Sequence, residues 1–189
     1  MQTKVDTPSI SPSQQKVVTA FRWVGWIAFW VELGLTVATG LALLFALSGR
    51  NYATQTITGI GVGIFWAVCG VIALCFSVYV AFRYTRLAKG LQNPNPALHP
   101  KKPDTVKLLR LAAIVSLVGI LLSLLGAGAT VGVLLAKTIS QPPGVAITDP
   151  NKIVRALDVF VEVANINGIA GNFIGVVTSL GLLSWVPRQ

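Results

Sequence analysis

Charged side chains are scarce in this sequence. Only 11% of its 189 residues are Asp, Glu, Lys or Arg, whereas a soluble domain carries about 25%. Hydrophobic residues make up 53% of the chain, and the mean hydropathy is +0.71. Such a composition excludes an ordinary water-soluble core, so the sequence predicts an integral membrane protein.

Residues that catalysis and metal binding usually require are also few. The chain has one histidine, His99, in a proline-rich stretch, and two cysteines, Cys69 and Cys75. Six positions apart on one helix, the cysteines would lie on different faces, too far apart for a disulfide. No nucleophile elbow, phosphate loop or Cys/His cluster is present. We therefore expect no enzyme and no cofactor.

Long apolar runs are what the chain does contain. A bilayer core is crossed by about 20 apolar residues, and four blocks are long enough: residues 23–47, 59–82, 108–136 and 164–185. A polar segment, 1–22, precedes them, and Ser11-Pro12 can start the first helix before the membrane. The predicted fold class is all-α, an integral membrane four-helix bundle forming a single domain over residues 23–185.

The distribution of Lys and Arg predicts the orientation. Eleven of the fifteen lie in segment 1–22, in the basic, proline-rich loop 83–107 with its edge, or at the C-terminus. The positive-inside rule then places both termini and this loop in the cytoplasm. Because the basic residues are not interleaved with stacking aromatics, we expect no nucleic-acid partner. The net charge of +9 is mainly a topology signal.

A short segment before the fourth span differs from the spans. Within residues 150–163, apolar side chains gather on one helical face, and Arg155, Asp158 and Glu162 on the other. This pattern predicts an amphipathic helix lying on the outer membrane surface. Its two carboxylates then have two interpretations, a solvated face offset by Arg155 or an acidic vestibule at the mouth of a cation path.

Glu32 is the ionisable residue that lies deepest within a predicted span. It follows Trp23 by nine residues, which is about 14 Å along a helix and close to the bilayer midplane. A charge at that depth costs several kcal/mol, with estimates from about 3 to above 10. Either Glu32 is hydrogen-bonded to a neighbouring helix, or it exchanges protons or coordinates ions in a path. Candidate partners in the fourth span are Asn165, Asn167 and Asn172.

Small residues recur in three of the spans. They let helix backbones approach closely, which drives helix association in lipid. In the third span Ser116, Gly119, Ser123, Gly126 and Thr130 alternate at spacings of three and four. The glycines expected at helix contacts, within the bundle or between copies, are Gly59, Gly63, Gly119, Gly126, Gly128, Gly132, Gly171 and Gly175.

Three stretches carry a family resemblance that covers most of residues 16–187. They are residues 22–30 (RWVGWIAFW), 125–132 (LGAGATVG) and 156–161 (ALDVFV). They resemble the cyanobacterial and plastid membrane group called permease in chloroplasts, also described as a subunit of the inner-envelope protein translocon. In bacteria the group is described only as a domain of unknown function. The resemblance implies four membrane helices, and because no transit peptide is recognisable we expect a cyanobacterial member, in the plasma or thylakoid membrane.

Two functions follow from the resemblance and the residues together. The first is a metal-ion permease component with iron as cargo, in which Glu32, Asn165, Asn172, Asp158 and Glu162 are candidates for the ion pathway. The second is a non-transporting subunit that supports protein translocation or the assembly of membrane complexes, including photosynthetic ones. The expected partners are the lipid bilayer and other membrane proteins or further copies of this chain.

Overall fold

The computed structural model describes residues 12–51, 58–92, 101–140 and 156–186. They form four α-helices: α1 (Pro12–Asn51), α2 (Thr58–Leu91), α3 (Lys102–Ile139) and α4 (Ala156–Trp185). Each contains a stretch long and apolar enough to cross a membrane. The predicted all-α four-span architecture is therefore confirmed, as is the start of the first helix at Pro12.

The helices surround a common axis in chain order. Each packs against its neighbour in sequence, and α4 returns to contact α1. Successive helices are antiparallel, since one buried cluster joins the first parts of α1 and α3 to the last parts of α2 and α4. In addition, α2 and α4 touch across the centre, which leaves α1 and α3 at opposite corners. All four helices contribute buried side chains to the interior.

Buried positions in the bundle follow a seven-residue repeat. Along α3 they recur at spacings of three and four, from Thr105 and Leu109 through Ser116 and Ser123 to Thr130. A repeat of 3.5 residues per turn is typical of helices that wind around each other with a left-handed twist. The alternation of small residues in the third span thus marks a face in contact with other helices.

Large side chains close one end of the bundle, which we call the Tyr84 end. Its buried cluster comprises Phe21, Val80, Tyr84, Ala88, Leu109, Ala112 and Leu182, drawn from all four helices. Tyr84 is 2% exposed and shares a hydrogen bond of 3.0 Å with Ser179. Trp23, Trp26, Tyr79 and Trp185 in contrast face outward, where aromatic side chains sit at a membrane interface.

The other end, which we call the Asp158 end, is built from smaller side chains. One buried cluster contains Ala42, Leu43, Ala67 and Ala164, and a second contains Ala46, Ile64 and Val161. Small residues such as these favour close approach of helix backbones.

Two predicted segments have different bounds in the structure. Helix α2 continues to Leu91 and α3 begins at Lys102, so most of the predicted loop 83–107 extends the two helices. The predicted surface helix 150–163 is not a separate element, because its described part, 156–163, forms the first two turns of α4. Residues 150–155, which include Arg155, lie outside the described residues.

Candidate functional site

Glu32 lies inside the bundle, with 1% of its surface exposed. The sequence predicted a partner among the asparagines of the fourth span, but the hydrogen-bond partner of its carboxyl group is Ser77 of α2. Ser77 is itself 3.4 Å from the hydroxyl of Ser116, on α3. Gly175 of α4 lies directly against the two serines, since a Cβ built on it would lie 2.6 Å from Ser116 Oγ and closer still to Ser77 Oγ.

Asn165 and Asn172 are fully buried on α4. Each donates its side-chain N–H to the carbonyl four residues earlier, at 3.1 Å to Val161 and 2.8 Å to Gly168. Their Oδ1 atoms point across to α3, where Cβ atoms on Gly126 and Gly119 would collide with them. The two glycines of α3 therefore create the space that the two amide groups occupy.

Several of these polar side chains have oxygens without a donor. Among the described residues, the buried side-chain atoms that lack a hydrogen-bond partner are Glu32 Oε2, Glu162 Oε2, Asn165 Oδ1 and Asn172 Oδ1. A buried acceptor without a donor costs about 1–3 kcal/mol. All four are acceptor oxygens, the kind of atom that a proton, a water molecule or a hard cation satisfies.

We call the set Glu32, Ser77, Ser116, Asn165 and Asn172 the polar axis. Asn165 and Asn172 are seven residues apart, which is about 10 Å along α4. Gly175, at the level of Glu32, follows Asn172 by three residues, or about 4.5 Å. The polar axis therefore brings together groups from four predicted spans, counting Gly175, at the level of Glu32 and continues toward the Asp158 end.

Asp158 does not form the acidic vestibule that its sequence pattern allowed. It is buried and accepts an ion-pair hydrogen bond from Lys137 of α3, at 2.5 Å, with both side chains less than one-tenth exposed. Its charge is compensated by Lys137, so Asp158 does not lie on a solvated face either. Glu162, one turn further along α4, is half-buried.

The predicted packing glycines fall into two groups. Gly63, Gly119, Gly126, Gly171 and Gly175 lie where a Cβ would meet a neighbouring helix, as predicted. Gly128 and Gly132 do not, because both face outward with no atom within 4 Å of a built Cβ. The surroundings of Gly59 lie outside the described residues.

Three further glycines, Gly25, Gly70 and Gly168, also lie at helix contacts, and of these only Gly70 was noted in the sequence among the small residues of the second span. Gly70 and Gly168 both face Ser123, and a Cβ on Gly168 would lie 2.7 Å from its hydroxyl. The signal that could have found them is the heptad: Gly63, Gly70 and Ser77 are seven apart, as are Gly168 and Gly175.

No cluster of three or more His, Cys, Asp or Glu side chains occurs within the described part of the chain. Any metal ion at the polar axis would be held by one carboxylate with amide and hydroxyl oxygens. Such ligands suit hard cations.

Comparison with known proteins gives one family and one curated relative. Residues 11–187 match the family described as "Protein of unknown function (DUF3611)". The chain is also 34% identical over 186 residues to "Protein TIC 21, chloroplastic" of Arabidopsis thaliana, a match that covers 95% of this chain and 61% of the relative. The chain thus spans less than two-thirds of that relative's length. No solved structure matches.

Proposed function

We propose, from the premise that the chain belongs to the DUF3611 family, that it is a metal-ion permease component with iron as its cargo. The observation that carries the proposal is the polar axis. Its carboxylate and amide oxygens are buried at the centre of four membrane helices, and three of them have no donor. A buried carboxylate at such depth is costly and is typical of ion and proton pathways.

The arrangement supplies acceptors in sequence along the bundle. Asn165, Asn172 and Glu32 follow each other over about 15 Å of helix length. Ser77 orients the Glu32 carboxyl group, and Glu32 alone on this path carries a negative charge when ionised. In the proposed mechanism the Glu32 carboxylate holds the ion at the midplane, while amide oxygens replace part of its hydration shell. The Lys137–Asp158 ion pair must separate or turn aside for a cation to enter from the Asp158 end.

The test is uptake of ferrous ion into proteoliposomes. We expect the wild type to show saturable uptake, and Glu32→Gln, which keeps size and hydrogen-bonding capacity, to lose at least about 90% of it. The control is Lys16→Gln, which neutralises an exposed charge near the start of α1, away from the polar axis, and should retain uptake. Uptake that is unchanged in Glu32→Gln would remove Glu32 from the path.

A second candidate is a non-transporting subunit of a translocation or assembly complex. It is favoured by the outward-facing pair Gly128 and Gly132, which no helix of this chain covers among the described residues, and by the similarity to TIC 21. Small residues on an exposed face are suited to close contact with another membrane helix. Under this candidate, well-inserted wild type shows no ion uptake, and Gly128→Leu loses cross-links to partners in membranes.

A further inference from the structure

A cavity outside the polar axis opens at the Tyr84 end, between α2 and α3. It has a volume of about 650 Å³, within the range of small-ligand sites. Arg83, Lys101 and Lys107 line it together with one carboxylate, Asp104. Three cations against one anion make the cavity attractive to negatively charged groups.

The same cavity has an apolar part. It is lined by Leu87 of α2 and by Leu108 and Leu111 of α3, and Thr105 completes the lining. Leu111 is 49% exposed on the outer face of α3, and it lies ten residues, or about 15 Å, from Lys101 along the helix. Along α3 the lining therefore changes from charged to apolar, from the end of the helix toward the middle of the bundle, whereas on α2 Arg83 lies one turn deeper than Leu87.

We propose that this cavity binds an anionic phospholipid. The headgroup phosphate lies among Arg83, Lys101 and Lys107, and an acyl chain lies over the three leucines. The position agrees with this occupant, because the cavity lies where the apolar block of α2 ends, the depth at which headgroups meet hydrocarbon. Basic cavities between membrane helices at the same depth bind anionic headgroups. A free anion would use the cations and leave the leucine part without a partner.

Two double variants test the proposal. Arg83→Gln with Lys107→Gln removes two cations from the cavity. Lys89→Gln with Arg110→Gln removes two exposed cations from the same ends of α2 and α3 that do not line it. The net charge and its rough position change equally in both, so any difference reports on the cavity alone.

The probe is dioleoyl-phosphatidylglycerol, with dioleoyl-phosphatidylcholine for comparison, titrated into the purified, delipidated full chain in detergent. Affinity is read from thermal stabilisation, and retained lipid is counted by native mass spectrometry. We expect the wild type to retain phosphatidylglycerol in preference to phosphatidylcholine. At about fivefold per cation, the cavity variant should bind about 25-fold more weakly, and the control within about twofold of wild type.

Several results would overturn the proposal. Equal losses in the two double variants would mean attraction to a basic surface, and equal retention of the two lipids would exclude an anionic site. If inorganic phosphate or glycerophosphoglycerol stabilised the protein as much as phosphatidylglycerol does, the cavity would be an anion site that binds no acyl chain. If the cavity double variant does not fold, the single variant Lys107→Gln, at an exposed side chain, replaces it. This variant should bind phosphatidylglycerol about fivefold more weakly. Unchanged binding in Lys107→Gln would also overturn the proposal.

Discussion

The two ends of the bundle are closed by different kinds of side chain. At the Tyr84 end Phe21, Tyr84, Leu109 and Leu182 fill the space between the helices. Toward the Asp158 end glycine, alanine and asparagine contribute many of the contacts, beside Leu43, Ile64 and Val161, and the Lys137–Asp158 ion pair joins α3 to α4. Lipid is as apolar as leucine, so large side chains here gain packing but little hydrophobic driving force.

The two ends should therefore differ in how well they tolerate amino-acid substitutions. A large side chain can be trimmed and leave a cavity, whereas a glycine against an amide, or a buried ion pair, has no smaller substitute. The half of the molecule toward Asp158 also holds Asn165 and Asn172, with their unpaired oxygens. The proposed path therefore runs through the part of the bundle that should tolerate substitutions least.

Breaking the ion pair should have the largest effect. Asp158→Asn leaves the Lys137 ammonium buried without its anion, so we expect the free energy of unfolding to fall by about 3–5 kcal/mol. The measurement is SDS titration of the purified protein followed by far-ultraviolet circular dichroism. The matched control is Lys137→Met with Asp158→Leu, which removes both charges and should cost clearly less. A double variant as unstable as the single one would show that packing, not charge, matters here.

Filling a glycine contact should come next. In Gly126→Leu the new side chain overlaps the Asn165 amide, and we expect a loss of about 3 kcal/mol in the free energy of unfolding. Gly128→Leu, two residues away on the outward face, should leave stability within about 0.5 kcal/mol of wild type. The same SDS titration compares them. Adding Asn165→Ala to Gly126→Leu should restore part of the loss, and its failure to do so would place the strain elsewhere.

The smallest effect is expected at the Tyr84 end. Tyr84→Phe removes the hydrogen bond to Ser179 and leaves the ring in its cluster, so the free energy of unfolding should fall by about 1 kcal/mol. Tyr79→Phe, at a tyrosine that is 56% exposed, should be neutral. Thermal unfolding of the two variants in one detergent makes the comparison. A loss above about 3 kcal/mol for Tyr84→Phe would contradict the view that this end tolerates change.

Much of the candidate site was readable from the sequence, because depth within a helix follows from counting residues. Glu32 was expected near the midplane, and Gly119 and Gly126 at a helix contact, since their spacing defines one face. The partner of Glu32 was not readable, because serine is common in apolar helices and nothing local distinguishes Ser77. The orientation in the membrane stays a prediction from the distribution of Lys and Arg.

By itself, the sequence determined the number of spans and the extended start of the first helix. These depend on local properties, namely the free energy of moving about twenty apolar residues into lipid and the proline that begins a helix. Only the tertiary structure decided that Asp158 is paired with Lys137, that Tyr84 points inward and that Gly128 points outward. Those facts depend on the register of one helix against another, which is set by contacts far apart in the chain.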